Sequence, residues 1–490
     1  MKTKKLAALV LTLVLALGLI PMGAMAAQTT VTPTSTASIT VNNAVANDVL
    51  AAYKVVDITY NAENNTLTKA WNSDFVNYFN GKIANVEAFA ALSDDSDELK
   101  ELLAGLPKYI ADNSIAAVKT ETVTTTTATF AGLAMGEYFI RPTSTTSVYQ
   151  LMLQKIEPTV ANVGGVDKYV IDDVNFDAKH KEVNVTKAAD KTSVTKNEKV
   201  AYTITVDIPT YSDEAIDKTF SVSDLLPDGL TIDTNSIKVQ INSVDVDAAA
   251  YTLDKNATGD YTFKLSVSDT QYANWKANAG INPLVITYTA TLNDDDTTEV
   301  NTKETNTVTF DYSNYPYVQN SHKQKTATVN VTTFAIKVDK FKEGADSTKL
   351  ANAKFDLYRT VYEGETGETI PHTSVQGIKL ESGVTDANGA ITFAKYEANG
   401  AKYDYYLVET QAPSGYNILT EAVKVNFTDA DVATTAGIYT VKVPNNSGIQ
   451  LPITGGTGTV IFTVIGIALM AGAVVLLVFS RKKSKADVNK

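Results

Sequence analysis

The sequence predicts a mainly β fold: tandem immunoglobulin-like β-sandwich domains, with some helix in the first and a hydrophobic helix near the C-terminus. Three observations carry this. Apolar and polar residues alternate over short stretches such as Val200-Ala201-Tyr202-Thr203-Ile204-Thr205-Val206, the pattern of a half-buried strand. Turn residues punctuate the stretches at Pro227-Asp228-Gly229, Asn293-Asp294-Asp295-Asp296 and Asn388-Gly389, types that adopt turn conformations at low cost. Thr, Val and Tyr, which suit a pleated surface, recur throughout.

Taken in order, residues 1–26 have a basic start (Lys2, Lys4, Lys5), an apolar run from Leu6 to Ile20, and Ala24-Met25-Ala26 as a small-x-small site. That is a secretory signal peptide, cut between Ala26 and Ala27. Residues 27–37 are rich in Thr, Ser and Pro and read as a flexible leader. A first domain spans 38–178. It opens with strands at Ile39-Thr40-Val41 and Ala52 to Val56 and resumes them at Thr122 to Phe130 and Glu137 to Ile140. Between them Phe89, Leu92, Leu99, Leu102 and Leu103 recur at helical spacing, with Asp94, Asp95, Asp97 and Glu98 suited to a helix N-terminus. A second domain spans 179–331, where Pro209 ends the strand Val200 to Val206. A third spans 332–446, with a hairpin expected where Asn388-Gly389 joins Gly383-Val384 to Ile391-Thr392-Phe393. Residues 447–459 form a spacer containing Leu451-Pro452-Ile453-Thr454-Gly455. Residues 460–480 hold an uncharged apolar run of the length a helix needs to cross a bilayer. The tail 481–490, with Arg481, Lys482, Lys483 and Lys485, would stay on the cytoplasmic side.

The 490 residues carry a formal net charge of -13, which argues against a nucleic-acid or anionic-membrane partner for the exported part. With no cysteine in an exported chain there is no disulfide, thiol nucleophile or thiolate metal site. Stability outside the cell must therefore have another source. His180, His322 and His372 are the histidines, in no HExxH helix, and no GxSxG elbow occurs. The acidic cluster Asp94 to Glu98 lacks EF-hand spacing and suits a helix cap. No cofactor, no metal and no enzymatic activity are expected.

Strand alternation does single out polar residues on faces that should be buried. Phe334, Ile336 and Val338 share a face that Lys340 continues; Tyr405 and Leu407 share one with Glu409; Val441 and Val443 share one with Asn445. Unpaired buried charge is expensive. Desolvation lowers a lysine pKa and raises that of a carboxyl. Lys340 would then be a neutral amine and a nucleophile. A protonated Glu409, bonded to the Asn445 carboxamide oxygen, would polarise its carbon and shuttle the proton. The amine attacks, ammonia leaves, and an isopeptide bond ties the first strand to the last. Lys337 is a rival in the same strand, on the less apolar face with Ala335 and Thr333. In the first domain Lys54 and Glu137 are candidates for a similar pair, with no acceptor evident.

Several stretches resemble known families. VDKFKEG, KLANAKFDLYR, YYLVETQAPSGYNIL and VKVPNN resemble the collagen-adhesin B-type (CnaB-like) domain, most specifically in the E-x-x-x-P-x-G-Y segment Glu409 to Tyr416. In the second domain Val183, Val185 and Lys187 alternate, as do Phe220, Val222 and Asp224, and Asn306, Val308 and Phe310. This is similar to the A-type (CnaA-like) isopeptide domain. The resemblance implies Lys187 as amine, Asp224 as carboxyl catalyst and Asn306 as acceptor. Leu451 to Gly455, followed by the apolar run and basic tail, resembles the LPxTG sorting signal of Gram-positive surface proteins. That implies a sortase cutting between Thr454 and Gly455 and passing the Thr454 carbonyl to an amine.

Tyr169 to Val183 resembles the pilin motif of backbone pilins, with Lys179 at the acceptor position. Asp177-Ala178 stands where the motif has Tyr-Pro and His180 where it often has Asn; Lys181 is the alternative acceptor. Together these imply a major pilin whose partners are sortase, other copies of itself, accessory pilins, peptidoglycan, and the membrane before sorting. The alternative is a monomeric wall-anchored adhesin binding a host ligand through its first domain.

Overall fold

The computed structural model describes residues 29–94, 96–256, 259–293, 303–400, 402–447 and 457–486, with side chains of the last helix given for 463–477. The signal segment with Ala26 and Ala27, Asp95, the turn after Asn293, and Leu451 to Gly455 lie outside the described residues. The chain is mostly β and falls into two compact units. One runs up to Thr192 and continues over Asn197–Asn293 and Lys303–Val331; the other joins Ser193–Lys196 to the chain from Thr332 onward.

In the first unit the strand Val49–Asn61 pairs with Thr66–Trp71 on one edge and Gly136–Ser144 on the other, and Lys119–Thr122 pairs with its start. A smaller sheet sets Thr36–Asn42 between Val174–Asp177, parallel to it, and Ala128–Ala134, antiparallel. The helix Asp97–Asp112 begins where Ser96 Oγ accepts the Leu99 amide at 3.3 Å. It buries Leu99, Leu102, Leu103, Leu106 and Ile110, a stripe at helical period that gives the segment one apolar face to pack.

The same unit holds two facing five-stranded sheets. One orders Val185–Ala189, Lys199–Val206, Leu284–Leu292, Leu230–Ile241 and Val244–Asp245; the other orders Thr252–Asp254, Phe263–Val267, Phe220–Leu225, Lys303–Ser313 and His322–Thr332. Val200, Tyr202, Ile204 and Val206 are buried, as are Leu284, Ile286, Tyr288, Ala290 and Leu292, so the two-residue period marks the inner face. The Phe263 and Tyr288 rings meet edge-on at 5.3 Å across the gap.

In the second unit Phe334–Lys342 pairs with Ala345–Lys349, with Ala390–Tyr396, and in parallel with the last strand, Ile438–Asn445. The opposing sheet orders Glu368–Thr369, Gln376–Val384, Lys354–Thr360, Tyr405–Gln411 and Val423–Val425. Ile336, Val338, Phe355, Leu357, Phe393, Tyr405, Leu407 and Val443 form the core between them.

Four expectations need correction or restriction. The stretch 122–130 is not one strand: Lys119–Thr122 and Ala128–Ala134 are separate. Val123 turns inward, fully buried, and its amide bonds Asp48 O at 2.9 Å, while the threonines that follow have no apolar face to alternate. Asn388-Gly389 does form a turn, with Gly389 at φ +69°. The strands it joins lie in opposite sheets, however, so it is a crossover and not a hairpin. The leader is held over its described residues: Thr29–Thr30 pairs with Val166–Ile171, the Val31 amide bonds Tyr169 O at 3.0 Å, and Val31 is buried. At the C-terminus Thr457–Ala486 is helical. Among the described residues no helix is long and apolar enough to cross a membrane; the run 460–480 extends past the described side chains, so its crossing is an expectation of the sequence.

One ionic cluster makes a pH prediction. His322 Nδ1 lies 2.5 Å from Asp311 Oδ1, on the neighbouring strand, and Nε2 lies 3.4 Å from the buried Asp217. The Asp311 hydrogen bond raises the His322 pKa. A folded pKa above the unfolded one stabilises fully below the unfolded value, roughly pH 6.5 for histidine, and that stabilisation is lost as pH rises through the folded value. Urea unfolding of the full chain should show the first unit weakening as pH rises above about 6.5, and His322→Gln should flatten the slope. Equal slopes in both chains would remove His322 as the cause.

Candidate functional site

The structure brings Lys340, Glu409 and Asn445 together in a sealed pocket. Lys340 and Glu409 side chains are 0% exposed, and Lys340 Nζ lies 3.5 Å from Glu409 Oε1. Asn445 Nδ2 donates to Glu409 Oε1 at 2.9 Å and Oε2 at 3.1 Å. Lys340 Nζ donates to Asn445 Oδ1 and, at 3.3 Å, to Val443 O, and it stands 5.7 Å over the Phe355 ring. Burial pushes the Lys340 pKa down to about 8 against the opposing pull of Glu409. At neutral pH that gives a larger share of neutral amine than an ordinary lysine has. Lys337, the rival, is only half-buried.

Local structure explains the placement. The strands Phe334–Lys342 and Ile438–Asn445 run parallel, Lys340 opposite Val443 and Lys342 opposite Asn445, so amine and carboxamide sit on neighbouring strands of one sheet. Glu409 reaches them from the opposite sheet. The segment after it turns at Gly415, φ +85°, and sends the Leu419 amide back to Glu409 Oε2 at 2.9 Å. Asn417 meanwhile clamps the end of the last strand through Asn446, with a backbone bond of 3.0 Å. Gly389 is needed for closeness as well as φ: a Cβ there would sit 2.3 Å from Lys340 O.

The carboxamide is turned opposite to the expectation. Its nitrogen, not its oxygen, faces Glu409. Glu409 accepts both bonds from the carboxamide nitrogen, which leaves Oδ1 to the lysine.

In the first unit Lys187 Nζ and Asp224 form a contact between facing sheets, both side chains 0% exposed. Burial pushes Lys187 down to about 8 and raises the Asp224 carboxyl. Asn306 is fully buried on the strand beside Asp224. It reaches the other two through a residue that sequence reasoning missed. Tyr288 OH donates to Asp224 Oδ1 at 2.9 Å and accepts from Lys187 Nζ at 3.0 Å and Asn306 Nδ2 at 2.7 Å. Burial holds the Tyr288 phenol well above its usual pKa, so it stays a neutral donor. The available signal was Leu284, Ile286, Tyr288 and Ala290 sharing one face, since a buried tyrosine hydroxyl needs a partner. Asn306 Oδ1 is buried without a partner among the described residues.

Lys54 and Glu137 lie on paired strands but form no ion pair with each other among the described residues. Lys54 pairs with Asp57 at 2.7 Å, while Glu137 lies 4.0 Å from Lys69. Asn72 Nδ2 bonds Asp57 at 3.2 Å, and the Asp57 side chain is 39% exposed, unlike the sealed carboxyls of the other two clusters.

Lys179 sits in a pinned segment. Asn42 O accepts the Ala178 amide at 2.8 Å and Lys179 O accepts the Gln150 amide at 2.9 Å. His180 and Lys181 pair with Tyr149 and Val148. Lys179 is half-buried and Lys181 exposed.

Comparison with known proteins agrees with this architecture. Residues 334–442 match the family model of the SpaA prealbumin-like fold domain, and residues 443–485 that of the LPXTG cell wall anchor motif. The class is thus a wall-anchored cell-surface protein of Gram-positive type. Fimbrial subunit type 1 of Actinomyces viscosus is 27% identical over 162 residues, covering 29% of this chain and 30% of that relative. The T6 backbone pilin of serotype M6 Streptococcus pyogenes superposes with a TM-score of 0.57 at 18% identity, covering 80% of each chain. The full-length major pilin SpaD of Corynebacterium diphtheriae gives 0.53 at 16% identity, covering 85% of this chain and 99% of that one. The chain therefore shares the fold of Gram-positive backbone pilins.

Proposed function

We propose that this chain is the major structural subunit of a covalent cell-surface pilus, built by a sortase and stiffened by two self-made isopeptide bonds. The observation that carries the reading is the pair of sealed lysine–carboxyl–asparagine clusters on a wall-anchored chain. A buried lysine with a lowered pKa, touching a carboxamide and a carboxyl, is costly as a resting ion pair and apt as a reactant.

In the second unit the Lys340 amine attacks Cγ of Asn445. The Nζ–Cγ bond forms and the Cγ–Nδ2 bond breaks. Glu409 takes a proton from Nζ and delivers it to Nδ2, which it already faces, and ammonia departs. Lys187, Asp224 and Asn306 repeat this across facing sheets, with Tyr288 relaying between carboxyl and carboxamide. Residues 38–178, 179–331 and 332–446 then serve as three modules, the last two cross-linked.

Tyr288→Phe removes the relay but keeps the ring. Freshly made protein should retain one ammonia mass from the unreacted Lys187–Asn306 pair, the deficit appearing slowly if at all. Unchanged, complete loss would make Tyr288 a spectator.

Between molecules, sortase joins the Thr454 carbonyl to Lys179 of the next copy. Linking one end of a copy to a different site on the next does not close on itself, so the product is an open filament. Co-expression with a sortase tests this: a ladder that survives boiling in detergent supports the pilus. A single wall-linked species would favour the monomeric adhesin.

A further inference from the structure

The chain's arginines are Arg141, Arg359 and Arg481. Arg359 shows the usual solution: its two terminal nitrogens fork onto Glu365 at 2.6 and 2.9 Å. Arg141, on the strand Gly136–Ser144, is different. Its Nε is buried with no hydrogen bond among the described residues. Its guanidinium lies between two rings, 5.6 Å from the Tyr53 centroid and 5.9 Å from that of Tyr315. It lines a partly open cavity of about 130 Å³ together with Thr145, Asn314, Tyr315 and Ser321.

The Tyr315 hydroxyl is also buried and unbonded among the described residues, on a side chain 4% exposed. Burial keeps that phenol protonated, hence a donor. The rest of the wall is fixed: Asn314 Nδ2 bonds Thr145 O at 3.0 Å, and Ser321 Oγ bonds Asn314 Oδ1 at 3.3 Å. The buried Asp48 carboxylate is already engaged, accepting Thr145 Oγ1 at 2.8 Å and Tyr149 OH at 2.7 Å. The residues that carry these two orphaned donors, one of them always cationic, both line one small cavity, and a buried donor with no acceptor costs stability.

We propose that this cavity is a carboxylate-binding site, with the Arg141 guanidinium and the Tyr315 hydroxyl as its donors. A planar carboxylate matches a guanidinium fork and one further O–H. The carboxylate is either a free small acid or an Asp or Glu side chain of a second copy. The inference does not depend on the pilus reading. The site adjoins the proposed acceptor segment, because the loop from Thr145 leads into Val148–Tyr149, the partner of His180–Lys181.

The test is thermal unfolding of the full chain at constant ionic strength, with sodium acetate replacing chloride. The midpoint of the first unit should rise with acetate as binding to the folded state requires, and that of the second should not. Arg141→Met and Tyr315→Phe should each abolish the rise. Line broadening of ¹³C-acetate by the unaltered chain, saturable with concentration, checks binding without any variant. No saturable binding, or an equal rise in Arg141→Met, would overturn the site. Repeating the titration on sortase-made polymer separates the sources: a response retained there means a free acid fills it, and one lost on polymerisation means a neighbour's side chain does.

Discussion

The purified ectodomain, before any sortase step, should weigh two ammonia masses less than its sequence. Lys340→Met or Glu409→Ala should restore one, and Asp224→Ala the other. Lys340→Met is the cleaner test, because it removes the nucleophile while Glu409 keeps its bonds from Asn445 Nδ2 and the Leu419 amide, whereas Glu409→Ala strands a buried amine at a cost of about 3–5 kcal/mol. Lys340 and Asn445 are 105 residues apart. By the chain-entropy argument developed for disulfides, closing a loop of about 100 residues stabilises by about 4.7 kcal/mol. Lys340→Met should therefore lower the unfolding midpoint of the second unit by on the order of 20 °C at that cost. No third ammonia should be missing, because in the Lys54–Asp57–Asn72 cluster the carboxyl is 39% exposed. A measured mass equal to the sequence mass would remove both bonds at once.

Lys179→Ala should abolish the sortase-dependent ladder altogether, since no partial reaction remains once the amine is gone. Lys181→Ala should leave it intact. The segment is not a loose linker: backbone bonds at Ala178, Lys179, His180 and Lys181 hold it to the first unit. An amine at a fixed place can be presented to a bulky acyl-enzyme without the entropy of ordering a loop. Loss of the ladder in Lys181→Ala alone would move the acceptor two residues. Survival in both variants would send the search elsewhere on the surface.

Much of this site was legible because strand periodicity is strict. Lys340 follows Phe334, Ile336 and Val338 on one face; the same reading located Glu409 after Leu407 and Asn445 after Val443. A polar residue in that position has nowhere to go but inward. The turn at Asn388-Gly389 was equally visible, yet whether it makes a hairpin depends on which sheet each flanking strand joins. Thr124 to Thr127 misled for a related reason: threonine suits a strand, but a strand needs a face to bury. The leader looked mobile by composition, and only its pairing with Val166–Ile171 shows it held.

By itself the sequence determined which residues face inward, and with them the amines, carboxyls and carboxamides available for cross-linking. It also carries the expectation of an export signal and an anchoring signal that matches the LPXTG cell wall anchor model, because these are read along the chain. Only the tertiary structure decided which inward residues meet. It set Lys340 and Asn445 on parallel neighbours and Lys187 across a sandwich from Asp224. It inserted Tyr288 between carboxyl and carboxamide, turned the Asn445 nitrogen toward Glu409, and left Arg141 facing a cavity. The physical reason is range: alternation is a local property of two residues, whereas these contacts join residues from 18 to 105 positions apart, and their proximity exists only once the sheets have packed.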